Sequence, residues 1–216
     1  MTATVTVPPQ APVAPLLRVD GLSFGYGAQS LFAHWSASFA PGLHLVCGDD
    51  GSGKTTLLRL LGADLTVQAG DLRLGALALA DDPPRYRRQV FRTDPTSDVF
   101  DAMTPLQWFE SLRGRYPGFD MAQAEALLRP LFLQEHLHKT GHMLSTGSRR
   151  KVWLVAALAS GAALVLIDQP FAALDTPSIR AVTDLLQQAG QRAQRIVVIA
   201  DHAAPPGLEL TQTVTL

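Results

Sequence analysis

The sequence predicts an α/β fold with buried parallel strands, on three observations. Leu164 to Ile167 and Ile196 to Ile199 are continuous apolar runs, the pattern of strands covered on both faces rather than one. Between them a helical pattern opens at Thr176-Pro177, as cap and first-turn proline, and runs to about Gln188. A third apolar run, Leu43 to Cys47, is joined by a glycine-rich turn to the helical stretch Thr55 to Leu61, which stops at Gly62. Strand, helix, strand with apolar strands is the order of a layered α/β core.

The other elements follow along the chain. Met1 to Pro15 is rich in Pro, Ala, Thr and Val, without the basic start or long apolar centre of a secretory signal, and residues 1–16 read as a flexible tail. From Leu17 to about Gly42, short apolar-aromatic runs broken by Gly and Pro predict antiparallel strands. Gly70 to Gly75 reads as another short strand. Helical patterning then governs about 95–150: Pro105 to Leu112 is one helix, and Asp120 caps a second that runs through Leu133. Ser145 precedes a third, through Ala159, with Trp153, Leu154, Ala157 and Leu158 on its apolar face. Trp108, Phe109 and Trp153 are expected in the core of this insertion.

Composition sets bounds. The 216 residues, 47% hydrophobic, suffice for one domain, or one core with a subdomain inserted into it over 17–216. A net charge of −1 gives no general pull toward nucleic acid, and no apolar run reaches a membrane-spanning length. The one cysteine, Cys47, excludes an internal disulfide framework and fits a reducing cytoplasm. Arg85, Arg87, Arg88 and Arg92 form a basic run without interleaved aromatics, read as surface or as a protein contact. His136, His138 and His142 lie on a polar stretch without other ligand spacing, and read as a solvated helix end.

The turn that follows Cys47 carries the chemistry. Gly48-Asp49-Asp50-Gly51-Ser52-Gly53-Lys54-Thr55 fits G-x-x-x-x-G-K-[ST] between a strand and a helix, the context that motif needs. Glycines admit close approach of phosphate, and backbone N–H groups converge on anionic oxygens at the positive end of the helix. Lys54 is placed to reach β- and γ-phosphates, Thr55 to ligate Mg²⁺, with Asp50 to Gly53 and Thr56 around them. The chain therefore reads as a binder of a nucleoside triphosphate.

Four further features occur in fixed order. Leu144-Ser145-Thr146-Gly147-Ser148 heads a helix, and Asp168 ends an apolar strand about twenty residues later. Ala173-Leu174-Asp175 follows, and His202 lies just past the next apolar strand. This order resembles the ATP-binding subunits of ABC transporters from Leu17 to Leu216. The resemblance implies a P-loop NTPase (RecA-like) core with an antiparallel β lobe and an inserted helical subdomain. It implies ATP and Mg²⁺ as ligands, and a head-to-tail pair with a second ATP-binding subunit. It also implies a membrane permease as partner, a place on the cytoplasmic face of the membrane, and no nucleic acid.

Residue by residue, Gly48 to Thr55 match the Walker A loop, and Tyr26 matches the ring that stacks on adenine, with Phe24 the alternative. Ser145 and Gly147 are the retained signature residues, implied to contact the γ-phosphate of ATP on the opposing subunit. Asp168 matches the Walker B acid, Asp175 the D-loop acid and His202 the switch histidine. Two positions depart. Gln169 stands where the family has a catalytic glutamate, and an amide takes no proton, so hydrolysis is expected to be slow, either through an introduced trap or in a naturally slow subunit. The family's Q-loop glutamine falls by spacing on Thr93 or Asp94, either of which offers oxygen to a metal. These departures keep open a nucleotide-gated regulatory module that binds ATP and pairs with little turnover.

Overall fold

The computed structural model describes residues 16–216. But for Leu16, the expected N-terminal tail lies outside them. Two sheets carry the fold. In the first, β1 (Leu17–Tyr26), β2 (Gln29–Phe39), β4 (Ala69–Leu74) and β5 (Leu77–Ala78) pair antiparallel in the order β2-β1-β4-β5. In the second, β3 (Gly42–Cys47), β6 (Val90–Arg92), β7 (Leu164–Asp168), β8 (Ile196–Ala200) and β9 (Gln212–Thr215) run parallel in the order β6-β7-β8-β3-β9. Helices α1 (Lys54–Leu61), α2 (Pro83–Arg88), α3 (Pro105–Leu112), α4 (Met121–Leu128), α5 (Thr146–Ala159) and α6 (Thr176–Gly190) connect them.

The continuous apolar runs are explained by two cores, one on each face of the parallel sheet. Alternate side chains go to opposite faces. Leu164, Leu166, Ile196, Val198 and Val46 join Leu57, Leu58, Leu60 and Leu61 of α1 and the antiparallel sheet. Val165, Ile167, Val197, Ile199, Leu43 and Leu45 join α5, α6 and the helices of the insertion. Trp108, Phe109 and Trp153 are buried there, Trp108 and Trp153 edge-to-face at 4.6 Å.

Two helix ends differ from expectation. α4 stops at Leu128 instead of Leu133: Arg129 is still helical, but Pro130 has no N–H to donate to the Ala126 carbonyl, so the hydrogen-bond ladder breaks there. Phe132 then takes a left-handed φ of 56° and is 54% exposed. α6 is capped by Asp175, not by Thr176: the Asp175 carboxylate accepts from the Ser178 N–H at 2.9 Å, which makes Thr176 and Pro177 the first helical residues. The helix continues to Gly190. Strands β5, β6 and β9 and helix α2 have two to six residues each and no period long enough to read from sequence.

The C-terminus of α5 rests on a buried cation. Arg195, 5% exposed, donates to Leu158 O at 2.8 Å and Ala162 O at 3.2 Å, with longer bonds to Ala157 O and Ser160 Oγ. Burial pulls its pKa down to about 10. The guanidinium supplies partners that helix-end carbonyls otherwise lack.

Candidate active site

The phosphate loop starts where β3 ends and delivers Lys54 at the first position of α1. Gly53 caps that helix in a left-handed conformation, φ 102°, and a Cβ there would stand 3.0 Å from Leu31 Cδ2 and Phe32 Cζ. Glycine is therefore needed on two counts, backbone and space. Lys54, only 6% exposed, turns back over the loop and donates to Gly48 O at 2.7 Å and Asp49 O at 2.8 Å. Ser52 Oγ is buried with no hydrogen-bond partner among the described residues. A cleft of about 270 Å³ opens above the loop, lined by Tyr26, Gln29, Leu31, Asp50, Gly51, Gly53, Lys54, Thr55, Thr56 and Gln169.

Tyr26 and Phe24 divide their roles. Phe24 is buried, whereas Tyr26 is 52% exposed beside the cleft, its hydroxyl 3.3 Å from Thr56 Oγ1 and its ring edge-on to Phe24 at 5.0 Å. Of the two rings, Tyr26 alone offers a face to a ligand.

Thr55 and Asp168 come together from elements 113 residues apart: Thr55 Oγ1 donates to Asp168 Oδ2 at 2.6 Å. The other carboxylate oxygen, Asp168 Oδ1, is buried without a partner among the described residues. An alcohol and a carboxylate with a spare oxygen are hard donors that fit Mg²⁺. Gln169 follows in the left-handed region, φ 46°, its N–H bonded to Ala200 O at 2.8 Å, and it lines the cleft. His202 Nε2 lies 3.2 Å from Asp50 Oδ1, with both side chains more than half exposed, so this contact contributes little to stability.

Ser145, Gly147 and Asp175 do not line this cleft, and neither do Gly48, Ser52, Asp168 and His202. Ser145 caps α5, accepting from the Ser148 N–H at 3.1 Å. Gly147 packs on the segment after Gln169: a Cβ on it would meet Ala173 O at 2.5 Å. Arg150 donates to Ala172 O, and Lys151 Nζ is 3.4 Å from Ser178 Oγ. The head of α5, the loop 169–175 and the start of α6 therefore form one packed block. Its hydrogen bonds from Ser178 hold the Asp175 carboxyl below its ordinary pKa.

The two Q-loop positions are engaged elsewhere. Thr93 is 1% exposed and its hydroxyl accepts from the Asp168 N–H at 3.3 Å, so it props the acid's backbone. Asp94 accepts from Arg92 Nη2 at 3.1 Å and Thr96 Oγ1 at 2.7 Å. Burial works against that carboxylate, yet these bonds hold its pKa below the usual value. Neither residue lines the cleft. Of the basic run, Arg87 donates to Ala63 O and Arg92 pairs with Asp64 as well as Asp94.

Sequence reasoning missed Asp201. It lies just past the end of β8, its Oδ1 accepting from the His202 N–H at 2.8 Å, and burial pushes its carboxyl up. The signal was there, a carboxylate directly after the apolar run Ile196 to Ala200.

The sequence profile of the family described as "ABC transporter" matches residues 35–172, from β2 through the loop, the α5 head and Asp168. The chain belongs to the ABC transporter family. Among curated relatives it is 33% identical over 193 residues to the cytochrome c biogenesis ATP-binding export protein CcmA of Nitrosococcus oceani, covering 88% of this chain and 87% of that one. It is 33% identical over 177 residues to the phosphonates import ATP-binding protein PhnC of a Polaromonas strain, of which it spans 62%. It is 29% identical to ATP-binding cassette sub-family A member 17 of Mus musculus, of which it spans only 9%. A solved ATP-binding subunit of an ABC transporter superposes with a TM-score of 0.77 at 26% identity, covering 87% of this chain and 79% of that chain. A putative ABC transporter ATP-binding protein from Pyrococcus furiosus has the same TM-score at 19% identity, a likeness of fold. The chain is thus an ABC ATP-binding subunit with a P-loop core, an antiparallel sheet and a parallel sheet.

Proposed function

We propose that this subunit binds Mg-ATP in the cleft above Gly48 to Thr55 and pairs head-to-tail with a second ATP-binding subunit. Closure of the pair would drive a membrane permease from the cytoplasmic face. One observation carries this reading. Thr55 and Asp168 meet at 2.6 Å beside the phosphate loop, while Ser145 and Gly147 sit at the head of α5 and line no part of that cleft, a placement that suits a second subunit's nucleotide. Residues 95–150 then act as the helical subdomain that presents them.

On binding, Lys54 exchanges the Gly48 and Asp49 carbonyls for β- and γ-phosphate oxygens, and the loop N–H groups take the remaining anionic oxygens. Tyr26 stacks on the base. Thr55 and Asp168 would hold Mg²⁺, which when bound would neutralise charge building on the phosphates. Ser145, Gly147 and Asp175 complete the partner's site, and His202 reaches toward the γ-phosphate. Among the described residues no helix is long and apolar enough to cross a membrane.

Gln169 orients water but accepts no proton, so turnover should lie about 10²–10⁴-fold below that of a glutamate enzyme. It favours a second reading, a nucleotide-gated module that pairs on ATP with little hydrolysis. Thr93, whose hydroxyl is engaged by the Asp168 N–H, and Asp94, paired with Arg92, favour it too. The deciding test is steady-state ATP turnover of the chain and of Gln169→Glu with the permease present. Recovery of two decades or more establishes a motor complete but for this side chain. Equal slowness, with ATP-driven pairing intact, establishes the gated module.

A further inference from the structure

Arg149 stands one residue beyond the Leu144–Ser148 stretch, and the nucleotide chemistry above does not use it. Its side chain is 14% exposed. Nε donates to Pro95 O at 3.0 Å and Nη1 to Gly141 O at 3.1 Å, while Nη2 donates to both Ser97 O and Asp101 Oδ1. The guanidinium carbon also lies 4.7 Å from the centre of the Phe100 ring, which stacks on Trp108 at 4.6 Å. At its other end, the Arg149 N–H bonds Ser145 O at 2.8 Å.

Three of the four acceptors, and the ring, belong to residues 95–101, the strap of turns between β6 and α3. Apart from the fork, the strap is held by short turns, among them Ser97 N–H to Asp94 O and Asp101 N–H to Asp98 O at 2.9 Å, and at its end by the His142 N–H and Nδ1, 3.2 and 2.9 Å from Asp101 O. It forms the wall of an open groove, where Ser97 and Val99 face Asp64, Arg92, Trp108 and Arg115, and Val99 is 50% exposed. One rigid fork therefore spans from the groove wall to the helix head that bears Ser145 and Gly147. A lysine ammonium at this position would keep the charge but lose the planar array that engages four acceptors at once.

We propose that Arg149 is a positioning residue that locks the α5 head to the 95–101 strap, so that the groove wall and Ser145–Gly147 move as one body. The functional consequence rests on reading Ser145 and Gly147 as a pairing surface; the lock itself does not. Coupling of this kind needs a physical network shared by both sites, and the fork is one.

The test uses the full chain, Arg149→Lys and Asp101→Asn, with Tm as a control for folding. Hydrogen exchange without nucleotide reads the lock. In the unaltered chain the amides of 96–101 and 146–149 should open together, and in Arg149→Lys the strap amides should open alone, at least ten-fold faster, with Asp101→Asn between. Sedimentation with Mg-ATP reads the consequence. Arg149→Lys should bind ATP in its own cleft within two-fold of the unaltered chain yet pair at least ten-fold more weakly, a split that general loss of structure does not produce. Independent opening of the two segments in the unaltered chain, or pairing by Arg149→Lys equal to it, overturns the proposal. An unaltered chain that fails to pair on Mg-ATP would fault the pairing surface instead, and the exchange data would still decide the lock.

Discussion

Gly147→Ala separates folding from function at the α5 head. The added Cβ would lie 2.5 Å from Ala173 O, and 3.6 Å from Ala173 C and Leu174 Cδ2, so the clash is with one backbone oxygen. Ordinary contact requires about 1 Å more room. Ala173 is the element that gives way, since it already occupies the left-handed region at φ 59°, which costs an L-residue about 1–2 kcal/mol. Displacing its carbonyl costs about 1–3 kcal/mol, as overpacking does. Alanine in place of glycine within α5 returns roughly 1 kcal/mol of helix propensity. The net loss of stability is therefore small, about 1 kcal/mol, a Tm decrease of about 2–4 °C for a chain of this size. Function is hit harder. A shift of about 1 Å in the α5 head misplaces Ser145 toward the partner's γ-phosphate and should lower turnover about 10²-fold in a Gln169→Glu background. Calorimetry and steady-state ATPase on the same preparations give both numbers. Turnover unchanged within a factor of three would refute the claim that the Gly147–Ala173 contact sets the position of the signature residues.

Other outcomes follow from the same coordinates. Tyr26→Ala should weaken ATP binding by about 10-fold, the scale of one aromatic–base stack, with Tm unchanged because the ring is half exposed; titration with a fluorescent ATP analogue measures it. Arg195→Met removes the cation that donates to the end of α5 and should cost about 2–4 kcal/mol, lowering Tm by about 5–12 °C without altering ATP affinity. His44 is fully buried, with Nε2 on Ala40 O at 2.7 Å, and burial lowers its pKa below 6.5. Below pH 6.5 the unfolded chain then binds the extra proton first, so stability rises with pH through that window and is lost on acidification. Urea unfolding at pH 5.5 and 7.5 should show this loss, and His44→Gln should reduce it.

How much of the site could be read beforehand depended on how local each part is. The phosphate loop is contiguous, and its glycines answer to backbone demands visible in eight residues, as Gly53 at φ 102° shows. Asp168 was legible because a carboxylate ending an apolar strand is itself a local pattern. The Q-loop positions were not, since what engages Thr93 is the backbone of Asp168, 75 residues away, and what engages Asp94 is Arg92. The α4 boundary was overestimated because apolar spacing continues through Leu133, whereas Pro130 decides the backbone.

By itself the sequence determined the α/β class, the strand–loop–helix that receives phosphate, and the order of motifs that places the chain among ABC ATP-binding subunits, because each is set by residue type and spacing along the chain. Only the tertiary structure decided which ring faces the cleft, which oxygen of Asp168 is left for a metal, and why position 147 has no side chain. It also revealed that Arg149 joins the α5 head to the 95–101 strap and that Arg195 ends α5. These depend on groups brought within hydrogen-bonding distance from remote parts of the chain, and direction and distance of that kind have no period in the sequence.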